Sequence, residues 1–180
     1  MNNDMGTLHD DPYLVLPLHG VQLIEASAGT GKTFTLATLF TRLVVEQGLR
    51  IGQVLAVTFT DAATQELRKR IRERLALAAQ LVDRAPADDD TPDVLLTRWV
   101  LQRHLETGTE SAAALQRRLQ VAADEIDLAA IFTIHGFCTR VLREHALESG
   151  HTFDPPELLA SERALLEELA ADLWRVHASD

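Results

Sequence analysis

The sequence predicts an α/β fold, a parallel β-sheet flanked by helices. Three short apolar runs have the composition of buried strands, at residues 21–25, 54–58 and 128–134. Each run is followed by a longer stretch in which apolar residues recur three or four positions apart, as they do on one face of a helix. Strands that alternate with helices form parallel sheets, because the helix carries the chain back to the starting edge.

The first two strand–helix units follow this pattern closely. Residues 21–25 run into a glycine-containing loop, and a helix is predicted over residues 32–46. Residues 54–58 are expected to form a strand that is covered on both faces. Asp61 is expected to cap the helix that comes next. One apolar stripe of that helix is predicted to face the core, and it consists of Leu67, Ile71, Leu75, Ala78 and Val82.

The second half of the chain is predicted to be mostly helical. A polar interruption at residues 86–92 precedes helical patterns at 94–105 and 112–122, which are expected to form a helical insertion on the surface. The helix predicted over residues 136–147 is expected to turn Phe137, Val141 and Leu142 inward. From residue 157 another helix is predicted, with an apolar stripe that requires a partner: Leu159, Leu166, Leu169, Leu173 and Val176.

Composition indicates a water-soluble globular protein of one domain, or of one domain and the start of another. The chain has 180 residues, of which 46% are hydrophobic and 24% charged. No apolar run reaches the roughly 18 to 20 residues that a membrane helix needs, so no membrane association is expected. Residues 1–12 lack the basic and apolar segments of a secretory signal. The single cysteine, Cys138, agrees with a cytoplasmic location.

Charge is divided unevenly along the chain. The net charge of −10 argues at first against nucleic acid, whose phosphates attract Lys and Arg. Residues 1–84, however, hold nine acidic and nine basic side chains, so the negative excess lies in residues 85–180. Residues 64–74 form the one concentrated basic patch, with five bases and two acids. On charge alone, such a patch is more often a solvated helix face than a binding surface.

The segment ASAGTGKT at residues 26–33 has the pattern of a phosphate-binding Walker A loop between a strand and a helix. Gly29 and Gly31 permit backbone angles that turn successive N–H groups toward phosphate oxygens, and the helix N-terminus adds partial positive charge. Lys32 would contact the β- and γ-phosphates of ATP, and the Thr33 hydroxyl would bind Mg²⁺; these two are the candidate catalytic residues. The predicted ATP-binding residues are Ala26, Ser27, Ala28, Gly29, Thr30, Gly31, Lys32 and Thr33.

One position departs from the G-x-x-x-x-G-K-T pattern, because Ala26 replaces the first glycine. The loop-closing Gly31, Lys32 and Thr33 are intact. A glycine-rich turn that merely contains Lys and Thr is disfavoured by the strand and helix predicted on either side. A Walker loop alone still leaves kinases, transporters, switches and motors open.

Two further segments narrow these possibilities. They are AVTFTDAATQELRKRI at residues 56–71 and IFTIHGFCTRVLREHA at residues 131–146. Both resemble the DNA-contacting motifs of the UvrD and Rep superfamily of DNA helicases, and the three motifs occur in the same order. The flanking words LPLHG, LIEASAGTGKTFTL and FTIHGFC are most similar to the RecB family within it, the beta subunits of exodeoxyribonuclease V. The resemblance covers residues 16–174.

By this resemblance, Phe59, Thr60, Thr133 and His135 contact single-stranded DNA. Their positions support the assignment, because the carboxyl ends of parallel strands meet at one edge, where the Walker loop also lies. Phe59 can stack on a base without reading its identity, and the other three side chains offer hydrogen bonds to phosphate or sugar. Each also has a structural explanation, Phe59 as a core residue, Thr60 as the residue before a cap and His135 as a helix start. His135 and Cys138 lack a second ligand pair, so zinc is not predicted.

His19 and the pair Asp124 and Glu125 differ from what the family pattern leads one to expect. His19 stands where RecB-like sequences carry a Gln that helps to recognise adenine, so its place in the nucleotide site rests on position alone. Asp124 and Glu125 imitate the acid pair that holds Mg²⁺ in P-loop motors. The residues before them are Ala-rich and helical in pattern rather than a strand, so this pair is not predicted to be a site. The resemblance implies that the true pair lies beyond residue 180.

The resemblance implies an incomplete P-loop NTPase fold of the RecA-like motor type. Residues 1–15 would be an N-terminal tail, 16–150 the front part of motor domain 1A, and 151–180 the start of helical domain 1B. The complete protein would use ATP and Mg²⁺ to move 3′ to 5′ along single-stranded DNA and unwind duplex ends. It would act with RecC and RecD in exonuclease action, recombination and double-strand break repair, whereas the isolated segment would have little ATPase activity. The alternatives are a small nucleotide kinase or ATP switch, and a stand-alone P-loop binding module that does not translocate on DNA.

Overall fold

The computed structural model describes residues 12–25, 31–149 and 161–177. Helices dominate these ranges: α1 Pro12–Val15, α2 Lys32–Glu46, α3 Asp61–Leu81, α4 Pro92–Glu106, α5 Ala112–Asp124, α6 Ile134–Glu144, α7 Ala146–Ser149 and α8 Arg163–His177. The strands are β1 Leu55–Thr58 and β2 Ala130–Thr133, and a short 3₁₀ turn precedes each of them, at Ile51–Gln53 and Ile126–Leu128.

The two strands form a small parallel sheet. Leu55 lies opposite Ala130, and Thr58 lies opposite Thr133 at the other end of the pair. The helices α3, α4 and α5 make the crossover between the strands. This helix-rich arrangement around a parallel pair confirms the predicted α/β class.

The strand predicted at residues 21–25 does not form. The segment has no regular secondary structure, and Val21 and Leu23 are 98% and 84% exposed. A strand is stabilised by ladder hydrogen bonds to a neighbour. Within the described ranges the sheet consists of β1 and β2 alone, so this segment has no strand beside it. Apolar composition was insufficient here because strand formation also depends on an available edge.

The core lies where α3 packs against α2, α4, α5 and the sheet. The predicted stripe of α3 is confirmed, since Leu67, Ile71, Leu75 and Ala78 are buried and Val82 is half-buried. Burial of each Leu or Ile side chain contributes about 1.5–3 kcal/mol. The position of α3 in the protein is therefore fixed mainly by this apolar face.

The helices α4 and α5 belong to the core, so the prediction of a surface insertion is wrong. Their buried side chains include Leu96, Val100, Leu115 and Leu119. The polar interruption before them is a closed turn around the carboxylate of Asp90. The Asp90 carboxylate accepts a hydrogen bond from the backbone N–H of Ala87 at 3.2 Å, and it forms ion pairs with Arg84 at 3.0 Å and Arg98 at 3.1 Å. The polar residues therefore bond to one another within a turn.

Two further predictions of burial are wrong. β1 is not covered on both faces, because Leu55 and Val57 are 49% and 42% exposed. In α6, Val141 and Leu142 are exposed rather than inward, and Phe137 is half-buried. Apolar periodicity identifies the face that needs covering, but it does not reveal whether a covering element is present.

The buried Arg42 and the half-buried Arg118 bond to backbone carbonyl groups in the first part of the chain. The Arg42 guanidinium donates to the carbonyl oxygens of Tyr13 and Leu16, both at 2.8 Å, which attaches α1 to α2. The Arg118 guanidinium, on α5, donates to the carbonyl oxygens of Val44 and Val45 near the end of α2. The last carbonyl groups of a helix have no N–H donors within the helix, so the Arg118 guanidinium, which donates to two of them, stabilises the C-terminus of α2.

The chain divides into two compact units, residues 1–137 and 138–180. The first unit holds the sheet and α1 to α5. In the second unit, α8 carries the predicted apolar stripe, and Leu166, Leu169, Leu173 and Val176 are all exposed. Leu159, the first member of that stripe, lies outside the described residues. None of the helices in the described ranges is long and apolar enough to cross a bilayer.

Candidate functional site

The phosphate-loop half of the candidate site is described from Gly31 onward, and Ala26, Ser27, Ala28, Gly29 and Thr30 lie outside the described residues. Gly31 is the N-cap of α2, with φ 85° and ψ 20°. Side-chain-bearing residues rarely adopt this left-handed conformation, so the backbone at this position favours glycine. Lys32 and Thr33 lie in the first turn of α2, where the helix dipole favours an anion.

A cleft of about 510 Å³ opens at this helix start. Its volume lies within the range of small-molecule sites, about 300–1,000 Å³. The lining residues come from three helices: Gly31, Lys32, Thr33, Phe34 and Ala37 of α2, Glu66, Arg70, Glu73, Arg74 and Leu77 of α3, and Asp93 of α4. Because a lysine and a helix N-terminus lie together at its wall, the cleft fits a phosphate-bearing ligand.

Arg74 is buried in the wall of this cleft, with 6% of its surface exposed. Its guanidinium carbon lies 4.6 Å from the centre of the Phe34 ring, and a guanidinium nitrogen pairs with the Asp93 carboxylate. Burial lowers the pKa of Arg74, and the Asp93 carboxylate opposes that shift. The group remains charged because arginine does not lose its proton in proteins.

Sequence reasoning missed Arg74 and its two partners, Phe34 and Asp93. A signal was nevertheless present, because Arg74 lies three residues after Ile71 and four before Ala78. Both of those residues belong to the buried stripe of α3. A charged residue at helical spacing within an apolar stripe is expected to be buried and paired, which distinguishes it from the exposed bases around it.

The two strand ends bring the second and third motifs to one edge of the sheet. Thr58 and Thr133 are paired residues at the carboxyl ends of β1 and β2. Phe59 and Thr60 follow the first strand directly, and His135 follows the second. Phe59 is 87% exposed, and Thr60 and His135 are exposed as well. The alternative that Phe59 is a core residue is therefore excluded.

Of the three threonines at this edge, Thr60 and Thr133 cap a helix. The Thr60 hydroxyl oxygen accepts a hydrogen bond from the N–H of Ala63 at 3.1 Å, so Thr60 is the N-cap of α3 and the prediction that Asp61 is the cap is wrong. The Thr133 hydroxyl oxygen accepts in the same way from the N–H of Gly136, also at 3.1 Å. Each hydroxyl still carries a hydrogen, which can be donated to a phosphate oxygen.

The turn after β1 is fixed by a cluster of hydroxyl groups. The Thr58 and Thr64 hydroxyls lie 2.6 Å apart, and each lies 3.1 Å from the carbonyl oxygen of Thr60. On the second strand, a Cβ atom at Gly136 would lie 3.1 Å from the Thr133 hydroxyl oxygen, a tight contact. The small residue at 136 therefore allows the cap of α6 to close.

Most of the basic patch at residues 64–74 bonds within the protein. Arg68 donates to the carbonyl oxygen of Ile131 at 3.2 Å, and Arg72 pairs with Asp127 at 2.8 Å. Arg74 is buried against Asp93, whereas Lys69 and Arg70 are exposed, so the solvated-face explanation fits those two residues of the patch.

Three residues that the sequence pattern compared with known sites, His19, Asp124 and Glu125, do not line the cleft. His19 is exposed, and its carbonyl oxygen accepts a hydrogen bond from the Gln22 side chain at 3.2 Å. Asp124 is the last residue of α5 and Glu125 follows it, which confirms that this pair does not lie on a strand. Among the described residues, no three His, Cys, Asp or Glu side chains come together as a metal site. Thr33, the predicted magnesium ligand, lies in the lining of the cleft.

Comparison with known proteins assigns the class. The family described as UvrD/REP helicase N-terminal domain matches residues 12–177. The chain belongs to this family of helicase domains.

Curated relatives of this chain include RecB subunits of the RecBCD enzyme. The RecB subunit of Escherichia coli (strain K12) is 43% identical over 175 residues, or 93% of this chain, and that of Haemophilus influenzae is 39% identical over 91%. The subunit of Mycolicibacterium smegmatis is 36% identical over 86%. The chain spans 14% of the length of the first two relatives and 13% of the third.

Proposed function

We propose that this chain is the ATP-binding front part of a RecB-type DNA helicase subunit. In this proposal the fold is a P-loop NTPase of the RecA-like type, with motor domain 1A over residues 16–150 and the start of helical domain 1B over residues 151–180. Residues 1–15 form an N-terminal tail. Support comes from the family match over residues 12–177 and from the parallel sheet behind the candidate site.

The nucleotide site in this proposal is the start of α2 together with the loop before it. Residues Ala26 to Thr30 and Gly31 direct backbone N–H groups to phosphate oxygens, and the Lys32 ammonium group neutralises the β- and γ-phosphates. The Thr33 hydroxyl would be a ligand of Mg²⁺, and His19, which does not line the cleft, is assigned to adenine by its sequence position alone. Bound Mg²⁺–ATP supplies the phosphoryl group whose transfer to water drives the motor.

The DNA site in this proposal is the edge formed by the two strand ends. The observation that supports it most is the strand register, which places Thr58 opposite Thr133. The exposed Phe59 ring stacks on a base of single-stranded DNA. Thr60 and Thr133 donate their hydroxyl hydrogens to backbone phosphates, and His135 bonds to phosphate or sugar. Because α3 and α6 begin at this edge, the positive ends of their dipoles also favour phosphate there.

The wider role follows from the named relatives. As part of a RecBCD-type enzyme, the complete protein would move 3′ to 5′ on single-stranded DNA and open duplex ends. It would act with RecC and RecD subunits in exonuclease action, recombination and double-strand break repair. The nucleotide-kinase alternative is not favoured, because the chain's relatives at 39% and 43% identity are RecB subunits.

The experiment that tests this function is ATP hydrolysis by the complete polypeptide that carries this segment, assembled with its partner subunits, with and without single-stranded DNA. Lys32→Ala is expected to lower DNA-stimulated turnover by at least about 100-fold, since positioned cations at a transferring phosphoryl group have effects of this size. Lys69→Ala is the matched control, because Lys69 is exposed and its one ion pair in the described part of the chain is with Glu73, at 3.8 Å. Normal turnover by Lys32→Ala, or no stimulation of the unmodified protein by DNA, would overturn the proposal.

A further inference from the structure

We propose that Arg74 is a positioning residue that couples the nucleotide cleft to the DNA-binding edge. Its buried guanidinium holds the first turn of α2 against the middle of α3. This inference rests on the proposed function, because coupling requires that both sites bind their ligands.

One helix connects the two sites. α3 begins immediately after Thr60 at the sheet edge and continues without a break to Leu81, with Glu66, Arg70 and Arg74 in the wall of the cleft. At 1.5 Å per residue, Arg74 lies about 20 Å along the axis from the cap. A helix packed along its whole apolar face moves as a unit, so a displacement of its start at the DNA edge reaches Arg74.

The partner of Arg74 in α2 is Phe34, the residue after the predicted magnesium ligand. Phe34 comes directly after Thr33, and its ring receives the Arg74 guanidinium at 4.6 Å. Tyr13 packs edge-on against the same ring, with centroids 5.7 Å apart and planes at 72°. The ring is thereby held between α1 and α3. A shift of the first turn of α2, where the phosphates would lie, changes the stacking on Arg74.

The burial of Arg74 favours a positioning role over direct ligand contact. Its Nη2 nitrogen is shielded from solvent and has no hydrogen-bond partner in the described part of the chain. A ligand atom therefore cannot reach it in this arrangement. A buried charge with an unbonded nitrogen is costly, and an apolar residue at this stripe position would avoid that cost. The guanidinium instead joins α3 to two neighbouring helices, through Phe34 of α2 and Asp93 of α4.

The test measures coupling in the complete polypeptide with its partner subunits. The dissociation constant of a fluorescent, non-hydrolysable ATP analogue is determined with and without saturating oligo-dT, and the ratio of the two constants is the coupling factor. Linked sites typically give ratios of about 5 to 150. Arg74→Met, which keeps the bulk of the side chain, is expected to bring the ratio close to one. Arg72→Met is the matched control on the same helix and is expected to keep the original ratio.

The outcomes separate this inference from the proposed function. A purely structural role of Arg74 would lower the thermal stability or change both dissociation constants by the same factor, and an unchanged ratio would overturn the inference. If Arg74→Met does not fold, Asp93→Asn is measured in its place, with a reduced ratio expected and an unchanged one contradicting the inference. An unmodified protein that binds both ligands without coupling would also overturn it. Absence of analogue or oligo-dT binding by the unmodified protein would overturn the proposed function as well.

Discussion

The site depends on a few small or hydroxylated residues at the starts of helices. Gly31 supplies a backbone conformation, whereas Thr60 and Thr133 supply caps. The sequence pattern was sufficient to predict the role of Gly31, because a Walker loop fixes which residue closes it. The caps were harder to predict, since Thr60 and Asp61 are neighbours and both residue types accept hydrogen bonds from helix N–H groups.

Gly31→Ala is expected to lower the free energy of unfolding by roughly 1–2 kcal/mol, because a side chain at φ 85° is strained although the space around it is open. Chemical denaturation of residues 1–180 measures the change. Gly52→Ala is the matched control, since a Cβ atom there meets nothing within 4 Å, a Cβ atom at Gly31 meets only the Phe34 Cβ at 3.9 Å, and Gly52 is not among the positive-φ glycines. Equal stabilities of the two variants would contradict the assigned strain.

Thr60 allows the cap to be separated from the proposed DNA contact. Thr60→Val removes the hydroxyl acceptor of the Ala63 N–H and is expected to cost about 1 kcal/mol of stability, whereas Thr60→Ser keeps the cap and costs less. The same denaturation measurement compares the two variants. If Thr60→Val were as stable as the unmodified chain, the capping assignment would fail.

At the scale of elements, the positions of helices were predicted better than the formation of strands or the burial of individual elements. α2 begins and ends at the predicted residues, and the apolar stripe of α3 is buried as expected. Residues 21–25 did not become a strand, because a strand needs a neighbour that sequence composition cannot reveal. The core positions of α4 and α5 were missed because the polar turn around Asp90 resembles the boundary of an insertion.

The ion pair between Arg118 of α5 and Glu110, just before the start of α5, predicts a pH dependence of stability. Hydrogen bonds from Arg118, together with those from His104, lower the pKa of Glu110, against the opposing effect of burial. A carboxyl whose pKa is lowered by folding stabilises the protein above its unfolded pKa, about 4.3, and loses this contribution as the pH falls through the folded value. Glu110→Gln is therefore expected to be destabilising near neutral pH and progressively less so in acid.

Denaturation of residues 1–180 at neutral and acidic pH measures this dependence, with Glu106→Gln as the control on the neighbouring helix α4. The Glu106 side chain is exposed, whereas that of Glu110 is largely buried. A stability difference between Glu110→Gln and the unmodified chain that stayed constant with pH would contradict the assigned cause.

At the scale of the whole molecule, several apolar surfaces are exposed in the described ranges. They include Val21 and Leu23 before the phosphate loop, Leu55 and Val57 on β1, and the stripe of α8. The sequence predicted that the α8 stripe needs a partner but could not identify one, because amphipathic spacing is the same whichever element covers it. The sequence also predicted that Phe59 and His135 lie at one edge, because parallel strands end together. It could not predict the contact of Arg74 with Phe34, because that contact depends on tertiary packing.

The α8 stripe is expected to drive association of residues 1–180 at high concentration, since contiguous exposed apolar surface favours self-association. Leu169→Glu combined with Leu173→Glu should shift sedimentation toward the monomer. Ala171→Glu adds one charge to an exposed site of the same helix, on the side away from the stripe, and should have little effect. Unchanged association of the double variant would show that another surface is responsible.

The central claim, that the two strand ends form one DNA-binding edge, is tested most directly by the affinity of the complete polypeptide for oligo-dT at fixed salt. Phe59→Ala and His135→Ala are compared with Trp174→Ala, which removes an aromatic ring that is 74% exposed on α8. Loss of a stacking ring is worth about 1–3 kcal/mol, so Phe59→Ala should weaken binding by roughly 5- to 150-fold. The predicted result is a clear loss for Phe59→Ala and a smaller one for His135→Ala, with Trp174→Ala unaffected. Unchanged affinity of both edge variants would contradict the account.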